Sequence, residues 1–545
     1  MPTTFNLADL FERVADQVPE RTALICGETR TTFGALEARA NQIAHHLLAN
    51  GVGPGDQVGL YLYNGNEFIE AMWACFKIRA VPVNVNYRYV DDELLYLFNN
   101  ADMVACVHAQ EFVPHIEKVR SAAPRLQALL SVADGSGHDP ASIGSVEFEA
   151  ARRAQREDRD FGDREEDDLF ILYTGGTTGM PKGVMWPHKN LFMAALGGGG
   201  YLTGNGPCDK PADIDERILE NPMIGMALAP LMHGACWWYA LIQMLAGSTV
   251  VLNPNRNFDG SGIWDICERE RVNSLAIVGD AMAIPLIDAL AENPDRWDLT
   301  SMFNIGSGGA VFSPASQQAF RDHFPNVFIS NSFGSSESGN MGFDSGNKRE
   351  AGGLGNVVKS DFMDVITEEE GNEGVVHRHA NPGEDGIFAR SGYIPRGYYG
   401  DPEKTARTFV PVDGKTWLLT GDEARLETDD SITVFGRGSN CINSGGEKIF
   451  PEEVEQALKV HPHVFDALVV ATPDERWGSK VTAVVALRGD GSLTLAELQE
   501  SARNHISGYK VPRELHIVDE VPRAPSGKPD YPRAQEIALE GSCRV

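Results

Sequence analysis

The chain has 545 residues, 42% hydrophobic and 23% charged, and its 77 acidic against 47 basic side chains leave a formal charge of −30. That length allows a large core and more than one domain, while the charge argues against a sequence-independent nucleic-acid binder or an anionic-membrane binder, which needs a dominant basic surface. Eight scattered cysteines without a C-x-x-C pair fit reduced thiols and a cytoplasmic protein, and MPTTFNLADLFERVADQVPERTALIC lacks the pattern of a signal peptide.

In chain order, VGLYLY (58–63) reads as a strand, FIEAMWACFKI as a helix, AVPVNV as a strand and DDELLYLFNNA as a helix. The polar, charge-dense stretch from Asp134 to Asp168 is expected to be a surface connection. LFILY then reads as a strand leading into LYTGGTTGMPKGVM (172–185), with a helix predicted after it. Met223 to Leu252 holds no Asp, Glu, Lys or Arg, yet Pro230, His233, Gly234 and Gln243 interrupt it, so it is predicted to be a buried strand–loop–helix–strand and no transmembrane segment is expected. SLAIVG, MFNIGSGGAVF and VFISNSF read as strands, and SPASQQAFRDHF as a helix capped by Ser313 with Pro314 at its first position.

Asp344 to Pro395, rich in Gly, Asp and Glu, suggests a small β subdomain, and after FGRGSNCINSGGEKIF the pattern resets into a compact α+β unit. The fold expected is therefore mixed α/β with largely parallel sheets. A large N-terminal domain, 1–436, contains the β subdomain, and a small C-terminal α+β domain, 437–545, follows a boundary near Arg437.

The 172–185 stretch has the glycines, hydroxyls and lysine of a phosphate loop but not the P-loop spacing, because Pro181 and Gly183 stand where that motif has Gly and Ser or Thr. Gly175, Gly176 and Gly179 let backbone N–H groups turn toward an anion, Thr174, Thr177 and Thr178 add donors, and Lys182 adds charge. In NSFGSSESG (331–339), Glu337 beside Ser335 and Ser336 at a strand's C-terminal end suits Mg²⁺. Asp422 in LLTGDEA, at the presumed end of a strand, could accept from a ribose diol, with Arg437 a suggestive companion. His233, among apolar runs and next to Trp237, Trp238 and Tyr239, reads equally as a core histidine or as the border of a hydrophobic substrate tunnel. Lys528 in VPRAPSGKPDYPRA, taken alone, reads as a solvated lysine. There is no G-x-S-x-G, no H-E-x-x-H, no spaced Cys/His set and no G-x-G-x-x-G.

Taken in order, these motifs resemble the adenylate-forming superfamily of acyl- and aryl-CoA synthetases, adenylation domains and beetle luciferases, nearly end to end. YTGGTTGMPKG resembles its phosphate loop, with Gly175 where Ser is usual; FGSSES resembles Y-G-x-T-E, with Phe333 and Ser336 for Tyr and Thr. TGD, GRGSNCINSGGEKIFPEEVE and PSGKP resemble its ribose, hinge and lysine motifs. The resemblance implies that MgATP and a carboxylic acid give an acyl-adenylate and pyrophosphate, and that coenzyme A then displaces AMP. It implies that Lys528 bridges carboxylate and α-phosphate, that residues 174–182 hold the β- and γ-phosphates, and that Glu337 binds Mg²⁺ with Ser336 beside it. Asp422 and Arg437 would hold the ribose, and Phe333 would lie against adenine, with Gly309, Ala310, Asn331, Ser332 and Gly334 also on the nucleotide. The C-terminal domain would be a mobile lid with its hinge near 437–441, where Ser439 replaces the usual Asp or Lys, and Gly445, Gly446 and Trp477 would line the pantetheine channel.

The motifs look most like those of bacterial fatty-acyl-CoA synthetases, especially those for steroid side-chain acids, so a hydrophobic acid is expected, with His233 at its tunnel. Alternatives are a ligase of aryl or small acids, a stand-alone enzyme loading a carrier protein, and a catalytically silent binding protein. A homodimer, and no nucleic-acid partner, complete the expectation.

Overall fold

The computed structural model describes residues 4–89, 91–176, 179–310, 312–344, 356–371, 374–437, 440–444, 447–474, 478–489, 491–506, 508–524 and 527–541. Among them the alternating pattern builds two eight-stranded sheets. The first runs in the order Gly397–Tyr398, Gly179–Pro187, Leu169–Gly176, Val81–Asn84, Gln57–Tyr61, Ala105–Ala109, Ala128–Val132, Val146–Glu147. From Leu169–Gly176 onward its neighbours are parallel. The second runs Gly339–Asp344, Phe328–Ser335, Asn304–Gly308, Ser274–Ile277, Ile224–Ala227, Thr249–Leu252, Thr22–Cys26, Thr29–Thr32, and its inner strands are parallel as well. Strands such as Gln57–Tyr61 and Ala105–Ala109 are buried along their whole length, which is why they read as continuous apolar runs rather than alternating ones. The helix Pro314–His323 starts as expected: Ser313 Oγ accepts from Ser316 N at 3.2 Å, with Pro314 first.

Met223 to Leu252 folds as the strand Ile224–Ala227, the helix Gly234–Leu245 and the strand Thr249–Leu252. That helix lies between the two sheets. Trp237 meets Phe170 of the first sheet edge-on at 4.7 Å, and Tyr239 OH donates to Ser274 Oγ of the second at 2.8 Å. Trp237 is fully buried, and truncating such a ring to alanine costs about 3–5 kcal/mol. Among the described residues no helix is long and apolar enough to cross a membrane. The seven cysteines within them are all free thiols.

The 134–168 stretch is a largely exposed connection, as expected, and it also reaches inward: Arg159 donates to Glu37 at 2.8 Å and Arg164 pairs with Glu12. These two carboxylates also hold the fully buried Lys77 at 2.6 and 2.7 Å. One lysine leaves two buried carboxylates with a residual negative charge, and the arginines neutralise it. The β subdomain does not end near Pro395: its antiparallel sheet goes on through Lys415–Leu426 and Ser431–Arg437, which pair with each other. Two further corrections, to the phosphate loop and to the place of Asp422, are taken up with the site.

The C-terminal unit has its own core, with Ile442, Leu458, Val469 and Val485 over a sheet ordered Val464–Asp474, Gly478–Leu487, Glu514–Val518. Ser439, expected at the hinge, and Gly445, Gly446 and Trp477 lie outside the described residues.

Candidate active site

The glycine-rich stretch is the tip of a β-hairpin, not a strand–loop–helix. Leu169–Gly176 pairs antiparallel with Gly179–Pro187, with Thr174 opposite Lys182 and Gly176 opposite Gly179. Val184, Met185 and Trp186 continue the sheet, and the helix begins only at His188. Gly183 is needed there because a Cβ would fall 2.7 Å from the Tyr173 ring. Thr177 and Thr178 lie outside the described residues. Lys182 Nζ donates to Asp401 Oδ2 at 2.8 Å, and that contact lowers the carboxyl's pKa below its ordinary value.

A second hairpin, Phe328–Ser335 with Gly339–Asp344, carries the acidic motif. Its turn is tied by hydroxyls: Ser335 N donates to Ser338 Oγ at 2.9 Å and Ser338 N to Ser335 Oγ at 3.1 Å. Trp186 Nε1, from the phosphate hairpin, donates to Ser336 O at 2.8 Å and so joins the two loops. Glu337 Oε1 accepts from Tyr398 OH at 3.1 Å, and the Lys404 ammonium sits 4.3 Å from that tyrosine's ring centroid. Among the described residues no ion pair to Glu337 is found, and its carboxylate accepts from the Tyr398 phenol.

Sequence reasoning missed Arg390. Its Nη1 donates to the carbonyls of Ser338 and Asn340, both at 2.7 Å, and braces the turn from behind. Burial pulls its pKa down to about 10. No motif pointed to it or to Tyr398, whose value lies entirely in what they touch.

Before that turn, Phe333 stacks on Phe388 with centroids 5.9 Å apart, and Ser332 Oγ donates to Ser307 O at 3.1 Å. Asn331 pairs in register with Ser307 and Asp344, and Gly308 leaves room for Ser332, whose Oγ lies 2.3 Å from where a Cβ would stand. Asp422 lies within the long strand Lys415–Leu426 rather than at a strand end, directly across from Arg437 in the antiparallel register. It is buried, and its N–H donates to Thr420 Oγ1, whose hydroxyl donates to Phe388 O. Of Arg437 only the backbone is described.

Lys528 comes from the C-terminal domain to this place. Its Cε lies 3.9 Å from where a Cβ on Gly309 would stand, and a Cβ on Gly527 would stand 3.6 Å from Ala281 Cβ. Ala310 packs beside Val278 and Cys236. His233 precedes the helix Gly234–Leu245, and its Nε2 is buried without a hydrogen-bond partner. Asn84 fixes that turn, donating to Met232 O and Tyr173 O at 2.8 Å each and accepting from Tyr173 N at 2.7 Å. Ser336 Oγ is 3.8 Å from the Cβ position of Gly234. Lys528, His233, Ser336 and Gly309 thus meet, although they span almost three hundred residues of chain.

Burial first, then the nearby Lys528 and Arg88 charges, push His233 down to about 4. His108 and His188 are pushed by burial to about 4 and 3. These folded-state values lie below the ordinary 6.5, so the unfolded chain binds more protons as pH falls. Stability should be unaffected above about pH 6.5 and decline from there toward pH 4. His233→Gln should shallow that decline, measured as the thermal midpoint at pH 7 and pH 5; an identical decline would contradict its buried neutral state.

A family model described as AMP-binding enzyme matches residues 11–399, and one described as AMP-binding enzyme C-terminal domain matches residues 453–528. The chain belongs to the AMP-binding enzyme family. It is 45% identical over 536 residues to the 3-oxocholest-4-en-26-oate–CoA ligase of Rhodococcus rhodochrous, covering 97% of this chain and 95% of that one. It is 37% identical to the medium-chain acyl-CoA ligase Mig of Mycobacterium avium, covering 99% of each. The crystal structure of the anthranilate CoA ligase AuaEII with anthranoyl-AMP has the same fold, with a TM-score of 0.84, 24% identity and 99% of each chain covered. Within the AMP-binding family the chain is an AMP-forming acyl-CoA synthetase, which uses ATP and coenzyme A.

Proposed function

We propose that this AMP-binding enzyme activates a large apolar carboxylic acid, either a steroid side-chain acid or a medium- or long-chain fatty acid, and transfers it to coenzyme A. The observation that carries this reading is near-full-length 45% identity to a ligase named for a steroid side-chain acid. A second feature supports it. The helix Gly234–Leu245 keeps Ala235, Trp238, Tyr239 and Ile242 partly accessible at helical spacing. On two strands the sheet face toward it carries small residues, Gly225, Ala227, Ser274 and Ala276, with Gly306 in register beyond, while Val250 and Leu252 flank them on the other side. Small side chains opposite a bulky helix leave room for a wide apolar group.

In the first half-reaction a carboxylate oxygen attacks the α-phosphorus of ATP and pyrophosphate leaves. In the second, the CoA thiolate attacks the acyl carbonyl and AMP leaves. Two anions must approach in the first step, so the work is neutralisation and positioning. Lys528 supplies a cation at the junction marked by Gly309. Thr174 and the hairpin backbone of Gly175, Gly176 and Gly179 offer donors to the leaving phosphates, and Lys182 would exchange Asp401 for them. Glu337, oriented by Tyr398, would hold Mg²⁺, which when bound neutralises phosphate charge. Asp422, across from Arg437, would accept from the ribose, and Phe333 on Phe388 would form the adenine wall. His233, kept neutral by burial, adds no second positive charge beside Lys528.

AMP release with CoA present, across steroid side-chain, fatty and benzoate-like acids, tests the reading. Turnover confined to benzoate-like acids would overturn it.

A further inference from the structure

Lys528 is exposed. Backbone bonds tie the chain on either side of it: Ala524 N donates to Lys528 O and Gly527 N to Ala524 O, both at 2.8 Å, and Arg523 bridges to Pro529. The Arg523 side chain joins this segment to the domain core. Arg523 Nη1 donates to Gly527 O at 2.8 Å, the carbonyl of the peptide that leads into Lys528. Its other two nitrogens grip Asp466 bidentately, Nε to Oδ2 at 2.7 Å and Nη2 to Oδ1 at 2.9 Å.

Asp466 is itself anchored. Lys459, in the last turn of the helix Pro451–Lys459, reaches Asp466 Oδ1 at 2.9 Å, and Ala467 N donates to the same oxygen at 2.9 Å. The side chains of Lys459 and Asp466 are 7% and 9% exposed, and that of Arg523 15%, so the contacts are shielded from water and are not the weak kind found on a surface. The arrangement also faces the N-terminal domain: Asp280, at the start of the helix Gly279–Glu292, attracts Arg523 electrostatically and is fixed by Ser313 N and Oγ at 3.0 and 3.1 Å.

We propose that Arg523 is a positioning residue for adenylation: its guanidinium ties the Gly527 carbonyl to the Asp466–Lys459 pair and thereby sets where Lys528 stands over Gly309. The inference rests on the reading of Lys528 as the adenylation lysine. Three donors in a fixed plane serve a carboxylate and a carbonyl at once, which the point charge of a lysine cannot do. The requirement is therefore for the fork and not only for the charge.

The test compares Arg523→Gln, Arg523→Lys and Lys528→Ala in two assays on the full chain. Both Arg523 variants should lose acid-dependent ATP–pyrophosphate exchange by about 10- to 100-fold, because a displacement of about 1 Å at a reacting centre costs that much. The loss should fall in kcat, with KM for ATP and for the acid unchanged. Thioester formation from supplied acyl-adenylate, and the thermal midpoint of Arg523→Lys, should stay near those of the parent enzyme. Wild-type exchange in both Arg523 variants, alongside a dead Lys528→Ala, overturns the positioning role alone. Parallel loss of both half-reactions in Arg523→Lys assigns the residue to stability only and overturns it too. Full exchange in Lys528→Ala instead removes the reading of Lys528 on which the inference stands.

Discussion

Lys528→Ala is expected to lose acid-dependent ATP–pyrophosphate exchange by about 10²–10³-fold, the scale of removing one preorganised charge-stabilising donor, while it still makes thioester from supplied acyl-adenylate. The expectation follows from position. Lys528 stands over Gly309, beside a histidine that burial keeps neutral, at the proposed junction of the acid and nucleotide sites. Lys182 does not take its place, because it stands opposite Thr174 on the glycine-rich hairpin, where the leaving phosphates are proposed to sit. The second half-reaction needs no neutralisation between a carboxylate and a phosphate, so it should survive. Equal loss in both assays would show that the lysine serves the whole site and not the first step.

Gly334→Ala should be the most damaging small substitution in the site. A Cβ there would stand 2.0 Å from Gly339 O and 3.0 Å from Gly339 C, both backbone atoms of the paired strand, so no side chain can swing away to make room. The hairpin would have to part at the turn that carries Ser336 and Glu337. Forced overpacking of this kind costs about 1–3 kcal/mol or more, and here the displacement falls on the acidic residue proposed to hold the metal. A lower thermal midpoint together with loss of pyrophosphate exchange is expected. A variant with the parent's midpoint and exchange rate would mean that the turn relaxes freely and that Gly334 is dispensable.

The candidate site could be named from the residue order because its motifs are short and stand in sequence. GGTTG has the donors of an anion loop by residue type, whereas SSES, TGD and SGK gained their reading only from standing together in that order, Lys528 alone reading as a solvated lysine. The helix start at Ser313–Pro314 was equally local, since a cap bonds three residues along its own chain. Where the reading slipped, strand pairing decided. The phosphate loop became a hairpin because its second arm pairs with Leu169–Gly176 on one side and with the distant Gly397–Tyr398 on the other, and the β subdomain ran past Pro395 because Lys415–Leu426 pairs with Asp385–Ser391.

The sequence by itself determined the alternation of strand and helix, the chemical character of each motif and hence the family, because these depend on neighbours along the chain. Only the tertiary structure decided which side chains serve those motifs. Trp186 reaches Ser336 across 150 positions, Lys182 reaches Asp401 across 219, and Arg390 reaches Ser338 across 52. A tryptophan, an aspartate or an arginine carries no mark in its own surroundings of the carbonyl or ammonium it will meet. Those pairings exist because folding brings distant strands into one sheet or one hairpin against another, and buried donors and acceptors must then find whatever partners the packing places beside them.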